Sequence, residues 1–181
     1  RSLARILHEN NIRMIYGGGT VGIMGEVART LVSLSGPSAV HGITTEYARE
    51  HGKPHDEVLA ETIRRIRQGW EDGATLIVYN ATYDLSVLRA LEPSFTVDGP
   101  VFDPFVVDKE KNKFRKGKRT LENVCAHYNV PLDNAHEATA DAVAAARVAW
   151  KLTREFPELV EMTSDELMLA QSTWYYQSQV E

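Results

Sequence analysis

A carboxylate, an imidazole and a second carboxylate are spaced so that they could act on the same bond. Asp84 follows an apolar run of strand length, Thr75–Tyr79, which would carry it to the edge of a sheet. His136 precedes a segment with helical spacing, and Asp141 falls in the first turns of that helix. A carboxylate can hold Mg²⁺ or Mn²⁺, and an imidazole can take a proton from water near neutral pH. Together they predict a metal-assisted hydrolytic site, although Asp84 alone also fits a helix N-cap and His136 alone a plain loop residue.

The elements that must position these residues alternate between strand and helix. The spacing of apolar residues predicts helices over 55–70, 85–91, 120–128 and 139–156, and strands over 75–79 and 101–107. A capping box from Thr163 to Glu166 opens a last helix, predicted to run through Gln177. Cys125 and Trp150 are expected in the core, each on the inner face of its helix. The alternation favours an α/β layered fold.

The front of the chain has the pattern of a separate helix–strand–turn–helix unit that ends near Gly36-Pro37. Its strand, Ile12–Tyr16, runs into a turn that satisfies Gly-x-Gly-x-x-Gly. Backbone N–H groups at such a turn can cradle a phosphate. The residues concerned are Gly17, Gly18, Gly19, Thr20 and Gly22. The alternative is a tight turn that only joins strand to helix.

Bulk composition narrows the class of protein. Of the 181 residues, 43% are hydrophobic and 25% charged, as in ordinary globular proteins. The net charge of −5 provides no global attraction to nucleic acid, so such binding would need a local basic patch. A single cysteine fits a reducing cytoplasm, and no apolar run has the length of a membrane span. Because the chain starts at Arg1, inside what reads as a helix, a fragment is expected.

Two segments resemble the DnaQ-like 3′–5′ exonucleases with a DEDDh active site. Asn80, Tyr83 and Asp84 match the second motif of that family, Asn-x-x-Phe/Tyr-Asp, and His136 and Asp141 match the third, His-x-x-x-x-Asp. Segments 41–44, 101–104 and 115–121 also resemble it, most closely the actinobacterial homologues of the DNA polymerase III epsilon subunit. The resemblance covers about 41–181 and implies an RNase H-like exonuclease fold.

The same resemblance implies a reaction and a set of roles. Asp84 and Asp141 would hold Mg²⁺ or Mn²⁺, and His136 would activate the attacking water. Single-stranded DNA with a free 3′ end would be the substrate, and a DNA polymerase subunit a partner. The expected substrate contacts are Asn80, Tyr83, Lys116, Lys118 and Arg119. The alternatives are a solvated loop for the basic residues and simple packing for Tyr83.

The first motif of that family, Asp-x-Glu-Thr on an opening strand, is absent. Ile12–Tyr16 leads to glycines instead, and the only Asp-x-Glu, Asp108-Lys109-Glu110, reads as a solvated loop. Since that motif supplies two of four metal-binding carboxylates, the fold is expected to be incomplete and the activity impaired. The alternative function is a catalytically inactive module that binds nucleic acid or a polymerase.

The string from Tyr16 to Ala28 resembles a second family, the LOG cytokinin riboside 5′-monophosphate phosphoribohydrolases. The likeness covers about 2–43, but the LOG motif Pro-Gly-Gly-x-Gly-Thr-x-x-Glu is absent, so this activity is not expected. A nucleotide monophosphate bound at the glycine turn remains a further alternative. The chain is thus predicted to join a LOG-like α/β fragment, 1–40, to a DnaQ-like domain, 41–181, whose opening strands the fragment replaces.

Overall fold

The computed structural model describes residues 49–132 and 138–180. The chain divides into two compact units, Arg1–Val58 and Leu59–Glu181. In the first unit, the described residues include a helical stretch at 49–51. The elements that follow are α1 His55–Glu71, β1 Leu76–Ile77, α2 Ala81–Leu91, β2 Val101–Phe102, α3 Pro104–Lys111, α4 Leu121–His127, α5 Ala138–Glu155, α6 Glu158–Glu161 and α7 Ser164–Val180. None of these described helices is both long and apolar enough to cross a membrane.

A short parallel pair of strands organises the second unit. Leu76 lies opposite Val101, and Ile77 lies opposite Phe102. The pairing extends at one end, where the Val78 N–H donates to the Phe102 carbonyl at 3.1 Å. Both strands lie inside the predicted runs 75–79 and 101–107. Because parallel strands end at the same edge of a sheet, the residues that follow β1 and β2 are brought together.

The prediction of a strand over 101–107 is wrong beyond Phe102. The backbone turns at Asp103, whose carboxylate accepts from the N–H groups of Phe105 and Val106, and Pro104 begins α3. An aspartate at the N-cap followed by proline at the first helical position is a favourable helix start. α3 also contains Asp108, with 0% of its surface exposed. The prediction of a solvated loop at 108–110 is therefore wrong as well.

The core lies where α5 packs against its neighbours. α5 contacts α3, α4, α6 and β1. Its inner face carries buried small and aliphatic side chains: Ala144, Ala145, Val148, Ala149 and Leu152. Cys125 is buried in the same cluster, which confirms its predicted place. The prediction for Trp150 is wrong, because the inner face is formed by residues on either side of it and 59% of the surface of Trp150 is exposed.

Two local features fix helix positions near the site. The predicted capping box is confirmed at α7: the Thr163 N–H donates to Glu166 Oε2 at 2.8 Å, and the Glu166 N–H to Thr163 Oγ1 at 3.3 Å. At the end of α1, Trp70 Nε1 donates to the Pro100 carbonyl at 3.0 Å, just before β2. A Cβ at Gly99 would lie 2.2 Å from Trp70 Cγ, so this approach requires glycine.

Candidate active site

Asp84 lies in the first turn of α2, immediately after β1. The helix starts from Asn80, whose φ of 63° is left-handed and whose side chain makes no cap hydrogen bond. The capping acceptor comes instead from the residue that follows β2. Asp103 accepts from the Asn80 N–H at 2.9 Å and from the Ala81 N–H at 2.8 Å. The position of Asp84 therefore depends on the end of β2 as well as on its own strand.

Asp103 caps two helices with one carboxylate. Besides the two N–H groups at the start of α2, it accepts from Phe105 and Val106 at the start of α3. Its own N–H donates to Gln171 Oε1 at 2.7 Å, and Gln171 Nε2 donates to the Val101 carbonyl at 2.9 Å. Burial raises the pKa of Asp103 against the opposing effect of the four backbone donors. The sequence prediction missed this residue, although the Asp-Pro pair was a readable signal.

The two candidate carboxylates stand on helices that adjoin β1. The Asp84 side chain is exposed, and partial loss of water raises its pKa, with an opposing backbone hydrogen bond. Asp141 is half-buried in the first turn of α5, the helix that contacts β1. The pKa of the Cys125 thiol is raised mainly by burial and, to a smaller extent, by the negative charge of Asp141. Asp141 therefore lies close to the core cluster that contains Cys125. His136 lies outside the described residues, as does the glycine turn Gly17–Gly22.

The other predicted substrate contacts fall into two groups. Asn80 and Tyr83 are exposed beside Asp84, and the Tyr83 side chain is 46% exposed. Lys116 and Lys118 are exposed in the loop between α3 and α4. Arg119 has a structural task there, with its side chain only 13% exposed. The roles proposed for these residues stay predictions.

Asp108 binds the two arginines of that loop, Arg115 and Arg119, in a buried hydrogen-bond network. Arg115 donates to Asp108 Oδ2 at 2.6 Å, and Arg119 donates to the same oxygen at 2.5 Å. The Tyr128 hydroxyl donates to Oδ1 at 2.9 Å. Burial alone would raise the pKa of Asp108, but the hydrogen bonds from Arg115, Arg119 and Tyr128 outweigh it and lower the pKa. The carboxylate is therefore a structural anion with its own protein cations.

The candidate metal ligands, Asp84 and Asp141, are of the chemical type that a hard divalent cation prefers, but they are few. Among residues 49–132 and 138–180, no group of three or more His, Cys, Asp or Glu side chains could hold a metal ion. Asp84 and Asp141 supply the carboxylate oxygens that Mg²⁺ and Mn²⁺ prefer. Mg²⁺ is commonly held by one or two carboxylates together with waters and substrate phosphates, so two carboxylates remain compatible with it.

The model of the Exonuclease family (RNase_T) matches residues 35–149. This is more than half of the chain, and the chain therefore belongs to that family. Membership confirms the predicted resemblance at the family level and implies an RNase H-like α/β fold, to which the described part contributes a parallel strand pair and several helices. It also supports a nuclease that binds and hydrolyses nucleic acid.

Two curated relatives match parts of the chain. The DNA polymerase III PolC-type protein of Lacticaseibacillus paracasei is 27% identical over 103 residues, 55% of this chain and 7% of that protein. The bifunctional cytokinin biosynthesis protein of Fusarium pseudograminearum is 51% identical over 71 residues, 36% of this chain and 15% of that protein. The chain thus spans a small fraction of each relative. No solved structure matches it.

Proposed function

We propose that this chain is a metal-dependent 3′–5′ exonuclease that removes nucleotides from the 3′ end of single-stranded DNA. Asp84 and Asp141 bind the cation, and His136 is the general base. The observation that carries the proposal is the match of the Exonuclease family to 35–149, because this range includes all three residues. The similarity to the PolC-type relative supports a partner from the replication machinery, although this similarity covers only 7% of that relative.

The described geometry supports the assignment of the two carboxylates. α2 presents Asp84 directly after β1, and α5, which carries Asp141, contacts β1. Both residues occupy the first turn of a helix. Asp84 is exposed and Asp141 half-buried, so both differ from the enclosed Asp103 and Asp108. Carboxylates that are partly exposed beside β1 are suited to binding a ligand.

Each residue has a separate task in the proposed reaction. When bound, Mg²⁺ or Mn²⁺ offsets phosphate charge and lowers the pKa of a coordinated water. Asp84 and Asp141 must be ionised for this, and because the pKa of Asp84 is raised, its affinity for the cation should fall at a higher pH than that of an ordinary aspartate. Neutral His136 accepts the proton from the attacking water. The product is a nucleoside monophosphate and a strand shortened by one nucleotide.

A second candidate function follows from the small donor set. The described residues contain no group of three metal-ligating side chains, so the same chain could bind single-stranded nucleic acid without cutting it. Binding and cleavage can be measured separately, and the two functions then give different results. Under the second function, affinity for single strands persists while the length of the strand does not change with Mn²⁺.

The deciding experiment follows a single-stranded oligonucleotide labelled at either end, with Mn²⁺. A 5′ label should report a ladder of shortened strands, a 3′ label should be released at once as mononucleotide, and EDTA should stop both. His136→Ala should slow cleavage by about 10²–10⁴-fold, the usual contribution of a general base. Asp98→Asn, which alters an exposed loop carboxylate, is the matched control and should cleave as the original chain does. Shortening from the 5′ end, or equal rates with and without His136, would contradict the proposal.

A further inference from the structure

Phe114 projects from the loop between α3 and α4 with 97% of its surface exposed. Single exposed apolar side chains are common on proteins. Phe114 differs in its setting, because its neighbours in the chain are basic: Lys113, Arg115, Lys116, Lys118 and Arg119. An aromatic ring presented among cations is the composition that single-stranded nucleic acid binding requires, with stacking for the bases and charge for the backbone.

The loop that presents Phe114 is held at several points. Arg115 and Arg119 both donate to the buried Asp108. The Arg115 N–H donates to the Asn112 carbonyl at 2.9 Å, and the hydroxyl of Tyr79, two residues after β1, donates to the Arg119 carbonyl at 2.7 Å. A loop fixed in this way holds the backbone of Phe114 in place, so less conformational entropy of the chain is lost when a ligand stacks on the ring.

The charge around Phe114 is positive although the chain as a whole is negative. Asp108 offsets one of the two arginines that it binds, and Glu110 is paired with Lys113 at 2.9 Å. The second arginine, Lys116 and Lys118 leave an excess of positive charge in this loop. The net charge of the chain is −5. The surface is therefore the local basic patch that an acidic protein needs to attract a phosphate backbone.

A cavity of about 430 Å³ adjoins the ring. It lies between α3 and α7, and Lys109, Phe114, Arg115 and Trp174 are among its lining residues. Its volume is within the range of sites that enclose small ligands, about 300–1,000 Å³. The lining thus includes both aromatic and cationic side chains, which suit the base and the phosphate of a nucleotide.

We propose that Phe114 stacks on an unpaired base of single-stranded nucleic acid, whose phosphates lie against the exposed Lys116 and Lys118 of the same loop. This rests on the proposed function in that the strand is the nuclease substrate. In a duplex each base is stacked and paired and offers no face to Phe114, so the contact selects single strands. A lone ring in a patch this small would give only weak attachment to a membrane surface, since such binding scales with the buried apolar area.

The test measures binding without cleavage, by fluorescence anisotropy of a labelled oligothymidylate in EDTA. Phe114→Ala should weaken binding by roughly 5- to 150-fold, the range for loss of one stacked base, and Phe114→Trp should retain it. Leu169→Ala is the matched control, since Leu169 on α7 is an apolar side chain with 70% exposure and is not among the cavity-lining residues. It should bind as the original chain does. Affinity for duplex should be the same for Phe114→Ala and the original chain.

A second ligand separates stacking from loss of folding. On an oligonucleotide of abasic sugar phosphates, the original chain and Phe114→Ala should bind equally weakly, because the base has already been removed. Equal affinity of both proteins for oligothymidylate would overturn the proposal. So would binding to phosphatidylcholine–phosphatidylserine vesicles that depends on Phe114 more strongly than binding to oligothymidylate does.

The result is independent of the cleavage assay. If base-dependent binding is found but Mn²⁺ gives no shortening, the Phe114 contact stands and the exonuclease proposal fails. If Mn²⁺-dependent shortening from the 3′ end is found and Phe114→Ala binds normally, the exonuclease proposal stands and the Phe114 contact fails.

Discussion

Asp103 is the N-cap of α3 and Asp108 lies in the C-terminal half of the same helix, and the two ends of α3 therefore use different kinds of donor. Both carboxylates are buried, with 5% and 0% of their surface exposed. Asp103 is surrounded by neutral backbone N–H groups, and its pKa is raised by burial. Asp108 is equally enclosed, but charged arginines reverse the effect of burial and lower its pKa. The comparison indicates that burial alone does not set the direction in which the pKa of a carboxylate shifts, because charged donors can outweigh the effect of burial.

The two ends of α3 also support different parts of the molecule. The Asp103 end starts α2 and α3 together, and so sets the place of Asp84. The Asp108 end holds the loop that carries Phe114. One buried aspartate supports the proposed catalytic edge, and the other supports the proposed binding surface. Changes at the two ends should therefore have separable effects.

The largest effect is expected from Asp108→Ala. Removing the anion leaves the side chains of Arg115 and Arg119, each 13% exposed, without their partner. Breaking a buried ion pair from one side typically costs about 3–5 kcal/mol of unfolding free energy. Urea denaturation followed by circular dichroism measures this loss. Glu110→Ala, at a partly exposed surface pair on the same helix, should cost less than about 1 kcal/mol. Similar losses for the two variants would remove the distinction between them.

A smaller effect is expected from Asp103→Ala, since neutral donors are left rather than buried cations. Each unsatisfied buried group costs about 1–3 kcal/mol. The Asn80 and Phe105 N–H groups are only partly buried and can bind water instead, and the buried Val106 N–H makes a long contact of 3.4 Å, so the loss should come mainly from the Ala81 N–H and be about 1–3 kcal/mol in total. Hydrogen exchange should accelerate at the Asn80 and Ala81 amides, and cleavage should fall with the placement of Asp84. Thr163→Ala, which removes the cap of α7, is the control and should leave the exchange of these two amides unchanged. Unaltered exchange in Asp103→Ala would contradict the shared cap.

The smallest effect concerns pH, and the two ends should respond with opposite signs. Because the folded pKa of Asp108 is lowered, its stabilisation is complete above the ordinary value of about 4 and is lost as the pH falls through the folded pKa. Because the folded pKa of Asp103 is raised, its ionisation costs stability once the pH rises above that ordinary value.

Unfolding free energies from pH 3 to 7 provide the measurement. Relative to Asp108→Asn, the original chain should lose its advantage towards low pH. Relative to Asp103→Asn, the unfolding free energy of the original chain should increase towards low pH. The same trend for both pairs would show that the two carboxylates do not differ as described.

Local signals in the sequence predicted much of the described fold. Thr163 and Glu166 form the expected capping box because its partners are adjacent in the chain. The run 101–107 was misread because its apolar residues suit a strand, and this outweighed the Asp103-Pro104 start signal. The burial of Asp108 could not be predicted, since its partners come from the next loop and from the end of α4 and meet only in the folded chain.

The candidate site is a different case. Residue type, spacing and motif resemblance predict Asp84 and Asp141 as site residues, and the structure adds that each lies in the first turn of a helix that adjoins β1. His136 and the glycine turn lie outside the described residues, so their roles remain predictions. Asp103 was missed because its contribution is to hold backbone groups, and no motif of the proposed chemistry includes it.

The burial of Cys125 has a practical consequence for spectroscopy. It is the only cysteine in the sequence and is 1% exposed, and burial raises the pKa of its thiol. Labelling reagents react with the thiolate, so the native residue is a poor target in the folded protein. A cysteine introduced at an exposed position can therefore carry a fluorophore or spin label while Cys125 is left in place. Distances within the chain become measurable in solution without any change to its core.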